Sequence, residues 1–233
     1  MRERTPGRAL IVSGGSVDKA LALRLFSGEI FPGVRPGRGA QERLLYIAAD
    51  RGLKFFAQHG LKLDVIVGDF DSGSPELAQR YAGDPQVEIR RFRPEKDFTD
   101  TELALDAAME RGCTEVVLLG ATGTRLDHVF ANLQLLAQAA ERGVLVRILD
   151  PHNAVTLRRG PFIMKKEEQW GKYISFFAFG GPVTGLTLKG FKYAVTDITL
   201  EMKGSLGVSN ELEAPEGEVS FTSGLLLVME TRD

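Results

Sequence analysis

Between residues 8 and 150 the chain alternates short apolar runs with segments whose apolar residues recur at three- and four-residue intervals. The runs ALIV (9–12), LLYIAA (44–49), DVIVG (64–68), VEIRRF (87–92), EVVLLG (115–120) and VLVRIL (144–149) predict strands, being short and mostly aliphatic or β-branched. Between them VDKALALRLF, GLKFFAQHG, SPELAQRYAG, TDTELALDAAMERG and LDHVFANLQLLAQAAERG carry the helical period. Strands that alternate with helices in this way predict a mainly parallel α/β sheet covered on both faces.

Two helix starts can be placed. Thr99-Asp100-Thr101-Glu102 matches a capping box, which sets Asp97 and Asp100 at a helix entrance. In the last of the helices Leu126, Val129, Phe130 and Leu133 share one face, leaving Asp127, His128 and Asn132 on others. Beyond LDPHNAV the texture changes to YISFFAFGG, VTGLTLKG, DITLEM and EVSFTSGLLLVME, separated by turn residues, with MKKEEQW as a solvated mixed-charge loop. Such a run of strands predicts an all-β sandwich, so the expected organisation is an α/β domain over residues 1–150 and a β-sandwich over 151–233.

Composition narrows the class without naming an activity. With 43% hydrophobic and 26% charged residues the chain has the balance of a soluble globular protein, and a net charge of −2 supplies no field for nucleic acid. The single cysteine, Cys113, excludes an internal disulfide and a thiolate zinc site, and it reads as a small buried residue beside the strand EVVLLG. MRERTPGRALIVSGG lacks a signal-peptide core and no window approaches a membrane span, so a cytoplasmic protein with no membrane partner is expected.

The candidate chemistry collects at strand ends. VIVGDFDSGSPEL places Asp69 and Asp71 directly after an apolar run, a pattern open to two readings: a polar turn before a helix, or paired ligands for a cation. Other polar groups also follow strands: Ser13-Gly14-Gly15, Asp50 and GATGTRLDH. Ligands of open α/β sheets bind outside the carboxyl ends of the strands, which favours a site. Carboxylates without cysteine suit Mg²⁺, and Mg²⁺ is commonly shared with substrate phosphates. Lys96 and Arg125 could meet such phosphates or merely balance neighbouring acids. Gly120 and Gly123 could bring amides to an anion. His128 and Asn132 are equally compatible with structural roles, and the Gly-Lys-Ser/Thr ending of a P-loop is absent.

Taken in order, AADRG, VGDFDS, EKDFTDTELAL, GATGTRLDHVFANLQLL, GFKYAV and GVSNELE resemble the thiamine pyrophosphokinase family from about residue 10 to the C-terminus. The resemblance implies transfer of a diphosphate group from ATP to the hydroxyl of thiamine, giving thiamine diphosphate and AMP, with Mg²⁺. It also implies a homodimer whose second domain binds thiamine and helps dimerisation. Carried over by position, Asp69, Asp71, Asp97 and Asp100 resemble the catalytic, metal-binding acids. Asp50, Lys96, Thr99, Arg125, Asp127 and His128 resemble ATP- or phosphate-binding positions, and Ser209 and Asn210 the thiamine-binding pair. One departure is Arg51, where the family commonly has glycine, which leaves the local backbone open. Trp170 falls in a segment without a match and reads as packing. Two alternatives compete: a pyrophosphokinase of the same fold acting on a hydroxymethyl pterin, and a non-catalytic nucleotide-binding module.

Overall fold

The computed structural model describes residues 7–28, 44–69, 75–93, 97–123 and 125–233. The chain divides into two compact units, Met1–Asp150 and Pro151–Asp233.

In the first unit six strands, β1 (Arg8–Val12), β2 (Leu44–Ala49), β3 (Val65–Gly68), β4 (Glu88–Arg91), β5 (Glu115–Leu119) and β6 (Leu145–Leu149), pair in the order β4-β3-β2-β1-β5-β6. Every one of these pairings is parallel. Helices α1 (Lys19–Phe26), α2 (Gly52–His59), α3 (Pro75–Tyr81), α4 (Asp100–Glu110) and α5 (Leu126–Glu141) form the connections. Each predicted strand and helix of this half is present, with ends shifted by a few residues at most.

Burial explains the continuous apolar runs. Leu10, Ile11, Val12, Ile47 and Ile66 are wholly enclosed, as expected for central strands covered on both sides. Phe26 of α1 stacks on Tyr46 of β2 at 5.1 Å between ring centroids and meets Phe56 of α2 edge-on at 5.2 Å, so two helices share one aromatic contact with the sheet. In α4 the buried positions include Ala104, Ala107 and Ala108, small side chains that let a helix lie close to its neighbours. β4 is the edge strand, and its Arg90 pairs with Glu88 and with Glu110 of α4, a charged edge that discourages further pairing.

The strand order sets where a ligand can enter. The chain steps outward from β1 through β2 and β3 to β4, then returns across the sheet by α4 to place β5 on the other flank of β1. The loops after β1 and β5 therefore leave in opposite directions and open a crevice between them.

Helix α5 corrects an expectation. Its buried residues are Asn132, Leu135, Leu136 and Ala139, whereas Leu126 is 79% exposed and Phe130 58% exposed. The predicted Leu126/Val129/Phe130/Leu133 face is therefore not the packing face. The first turns stand at the crevice, where Arg125, His128 and Val129 line the cavity, and the buried face is set by the later turns.

The second unit is antiparallel. Its strands are β7 (Asn153–Arg158), β8 (Phe162–Lys165), β9 (Tyr173–Lys189), β10 (Val195–Leu200), β11 (Glu216–Ser220) and β12 (Ser223–Thr231). β9 is one long strand where the pattern suggested two. Its first half pairs with β12, which also pairs with β7, and its second half pairs with β10 and β11, the latter carrying β8. Ile174, Phe176 and Ala178 from the first half and Val183, Leu186 and Leu188 from the second fill one apolar core with Leu226 and Val228 of β12. β7 and β8 were not predicted: β7 buries Thr156 among aliphatics, and β8 leaves Ile163 61% exposed, so neither shows a clean alternation. MKKEEQW is not wholly loop, since Met164 and Lys165 end β8 and Lys166–Glu168 form a 3₁₀ turn.

Candidate active site

The floor of the crevice is backbone knitted to backbone. The amide of Ser13 donates to the Leu119 carbonyl at 2.8 Å, and that of Gly15 to the Gly120 carbonyl at 3.0 Å, which ties the loop after β1 to the loop after β5. A Cβ on Gly15 would stand 2.3 Å from the Gly120 oxygen, so only glycine permits this approach. Across β1, a Cβ on Gly52 would come within 2.0 Å of the Val12 oxygen. The neighbouring Arg51 has ordinary right-handed angles, φ −62° and ψ −12°. Its side chain is thus accommodated without strain, which resolves the geometry at the departure from the family pattern.

These loops enclose a cavity of about 550 Å³ at the carboxyl ends of β1, β2, β3 and β5. Asp50, Asp69, Thr99, Asp100, Arg125 and His128 line it. Asp97 and Asp127 are exposed and do not line it, and Asp71 and Lys96 lie outside the described residues. Asp50 follows β2 with φ +49°, a left-handed conformation that side chains adopt at a cost. The Asp50 amide donates to the Val67 carbonyl at 2.9 Å, which fixes the turn, and its carboxylate lies 3.6 Å from the Arg51 guanidinium. Asp100 opens α4 immediately after Thr99, whose hydroxyl accepts from the Glu102 amide at 3.1 Å, one half of the expected capping box. The hydroxyls of Ser13 and Thr101, both buried, meet at 2.6 Å and fasten the start of α4 to the loop after β1.

Arg125 is already committed in part. Its Nε and Nη2 donate to the two oxygens of Asp127 at 3.1 and 2.5 Å. The hydrogen bond holds the Asp127 carboxyl below its usual range and raises the arginine. Both groups are exposed, so the pair orients Arg125 more than it stabilises the fold. Among the described residues no three acidic, histidine or cysteine side chains are grouped as a ready-made metal site. Sequence reasoning did not single out Phe98 or Thr101, which also line the cavity, because nothing in their spacing distinguishes them from core or capping residues.

In the second unit Ser209 and Asn210 have unlike surroundings. Ser209 is exposed, has φ +54°, and its amide donates to the Ser175 hydroxyl at 3.0 Å. Asn210 is 2% exposed, and its carboxamide is occupied within the unit. Its Oδ1 accepts from the Tyr193 and Glu211 amides at 3.0 and 2.9 Å, and its Nδ2 donates to the Tyr193 carbonyl at 2.9 Å. Trp170 is half-buried, with the Arg232 guanidinium 5.3 Å from its ring.

A second hollow lies at the amino end of β5, lined by Asp106, Met109, Cys113 and Arg142, and shares no lining residue with the first cavity. No helix among the described residues is long and apolar enough to cross a membrane.

Comparison with known proteins places both halves of the chain in one family. The model of the thiamin pyrophosphokinase catalytic domain matches residues 39–148, and that of the thiamin pyrophosphokinase vitamin B1 binding domain matches residues 162–226. The thiamine pyrophosphokinase of Bacillus subtilis (strain 168) is 32% identical over 194 residues, spanning 82% of this chain and 89% of the relative. The crystal structure of a thiamine pyrophosphokinase from Bacillus subtilis is similar with a TM-score of 0.81 and 29% identity, covering 97% of this chain and 99% of that one. A thiamin pyrophosphokinase from Geobacillus thermodenitrificans gives a TM-score of 0.77 at 29% identity, covering 97% and 98%. That from Candida albicans shares the fold at 15% identity, with a TM-score of 0.77 and coverage of 97% and 90%. The chain belongs to the thiamine pyrophosphokinase family.

Proposed function

We propose that this protein transfers the diphosphate of ATP to the primary hydroxyl of thiamine, releasing AMP. What carries this reading is the ordered match of both halves of the chain to the two domains of one enzyme family, with the acidic cavity in the half that matches the catalytic domain. The first unit is then the ATP- and magnesium-binding α/β domain, and the second a β-sandwich that binds thiamine and helps form a homodimer. A cytoplasmic location fits substrates of this kind.

In-line attack of the thiamine hydroxyl on the β-phosphorus asks the protein chiefly for alignment and charge neutralisation. Asp50, Asp69 and Asp100 present hard oxygen donors to one cavity, which fits Mg²⁺ in its usual form, held by one or two carboxylates and completed by water and phosphate. Of the four acids marked by the family motifs, Asp69 and Asp100 line the cavity and would hold the metal, which would neutralise phosphate charge and help align the displaced groups; Asp71 is kept as a ligand by the resemblance alone, and exposed Asp97 stands outside the cavity. Asp50, Thr99 and His128 face the nucleotide, Lys96 and Arg125 counter the charge of the transferred group and of AMP, and Asp127 holds Arg125 in its bidentate pose. Ser209 and Asn210 present the thiamine segment, with the Asn210 carboxamide shaping it from within.

The test is AMP release from ATP and Mg²⁺ with and without thiamine, followed by mass analysis of the vitamin. Thiamine-dependent AMP and a product heavier by two phosphates are expected. AMP formed with a hydroxymethyl pterin alone would overturn the substrate, and silence with both alcohols would overturn catalysis. Asp69→Asn should lower turnover by at least about a hundredfold with an unchanged melting curve, since it removes a charge from a polar site and opens no cavity.

A further inference from the structure

Helix α4 is held differently at its two ends. Toward the C-terminus its ties are ion pairs partly open to water, Glu110 with Arg90 of β4 and Asp106 with Arg142 after α5. Along its length it buries Ala104, Leu105, Ala107 and Ala108, mostly small side chains whose shallow relief opposes sliding along the helix axis only weakly. At the N-terminal end the contact is of another kind. Ser13 and Thr101 are each 7% exposed, and their hydroxyls meet at 2.6 Å, a short, directional hydrogen bond between buried groups.

Ser13 is a fixed post for this bond. Its amide donates to the Leu119 carbonyl at 2.8 Å, and its own carbonyl is so closely approached that a Cβ on Gly120 would stand 2.7 Å from it and one on Gly52 3.2 Å. The loop after β1 therefore resists following α4 if the helix shifts. Thr101 is the second residue of α4 and directly follows Asp100, an acid that lines the cavity. The Asp100 carboxylate inherits any displacement of Thr101, and Mg²⁺ tolerates little departure from octahedral coordination. We infer that the Ser13–Thr101 hydroxyl pair is a positioning device, which sets α4 against the loop after β1 and so places the Asp100 carboxylate for the metal. The two residues act through Asp100 and touch neither metal nor nucleotide in this role. This rests on the magnesium reading above.

The proposal is tested by calorimetric binding of ATP to the full chain in magnesium chloride, with urea unfolding in parallel. Ser13→Ala and Thr101→Val each remove one hydroxyl with little change of shape, and each should weaken ATP about tenfold. The double variant should lose no more than either alone, because both changes break the same bond. Thr101→Ser keeps the hydroxyl and should bind within about twofold of the wild type. Action through Asp100 has its own signature: in an Asp100→Asn background, where the metal ligand is already lost, Ser13→Ala should cost nothing further. A Ser13→Ala protein that binds ATP as the wild type does, whatever its urea midpoint, would make the pair a structural clamp and overturn the proposal. So would a loss that persists undiminished in the Asp100→Asn background. If Thr101→Val fails to fold, Ser13→Ala decides the matter alone, since it removes a single oxygen. A wild type that binds ATP no better in magnesium chloride than in EDTA, or an Asp100→Asn variant that binds as the wild type does, would instead overturn the magnesium reading itself.

Discussion

Asp50 holds a left-handed backbone that glycine would adopt freely, with its carboxylate in the cavity. Conformational strain at a functional position is retained when the side chain is needed there. Asp50→Gly should therefore raise stability by about 1 kcal/mol, measured by urea denaturation, and lower turnover at least tenfold. A variant that gains stability and keeps full activity would remove Asp50 from the site. The sequence marks Asp50 as a polar residue after a strand, but its strain depends on the turn imposed by Val67 and Leu53, whose bonds to Asp50 are visible only in three dimensions. Arg51 makes the complementary point. Its replacement of glycine matters little to the backbone, because the position that admits no side chain is Gly52, one residue later.

At the scale of elements the packing face of α5 separates periodicity from context. Four apolar residues at helical spacing predicted a face around Phe130, whereas the sheet receives the Leu136 face. Leu136→Ala should cost about 2–5 kcal/mol by denaturant unfolding and Phe130→Ser under about 0.5 kcal/mol, because only the first opens a cavity in the core. A reversed order would restore the face predicted from spacing. The Asn210 turn is an element held by one side chain. Asn210→Ala strands two amides and a carbonyl, and about 3 kcal/mol of stability should be lost in the same assay. A loss of thiamine affinity with unchanged stability would instead make the carboxamide a direct ligand group. Strand and helix positions in the first unit were legible because buried parallel strands read as unbroken apolar runs. β7 and β8 were not, since edge exposure and a buried threonine erase the alternation that marks a strand.

For the molecule as a whole, the one cysteine reports on global opening. Cys113 is 1% exposed, and burial pushes its thiol up to about 11 from an ordinary 9.0. Folding therefore favours the protonated form, so its contribution is complete below about pH 9 and is lost as pH rises toward 11. Stability measured by urea should fall across that window, and Cys113→Ala should flatten the slope. A wild-type slope that persists in the variant would assign it to other groups. Below pH 9 the thiol should react with iodoacetamide only as fast as the protein opens.

The amino-acid order by itself determined the strand and helix succession of the first unit, the change of texture after residue 150, and the family, because these depend on local periodicity and on short motifs. Only the tertiary structure decided which of the motif residues share a cavity. The return of the chain from β4 to β5 sets the loops after β1 and β5 side by side, and this brings Ser13 to Thr101 across 88 positions and Asp50 to the same cavity as Asp100 and His128. The same packing leaves Asp97 and Asp127 at the surface and buries Asn132 with its Nδ2 donating to the Ala121 carbonyl. Contacts between residues so far apart along the chain leave no periodic trace in it; they are fixed by the crossover topology and by the close backbone approach that Gly15 and Gly52 allow.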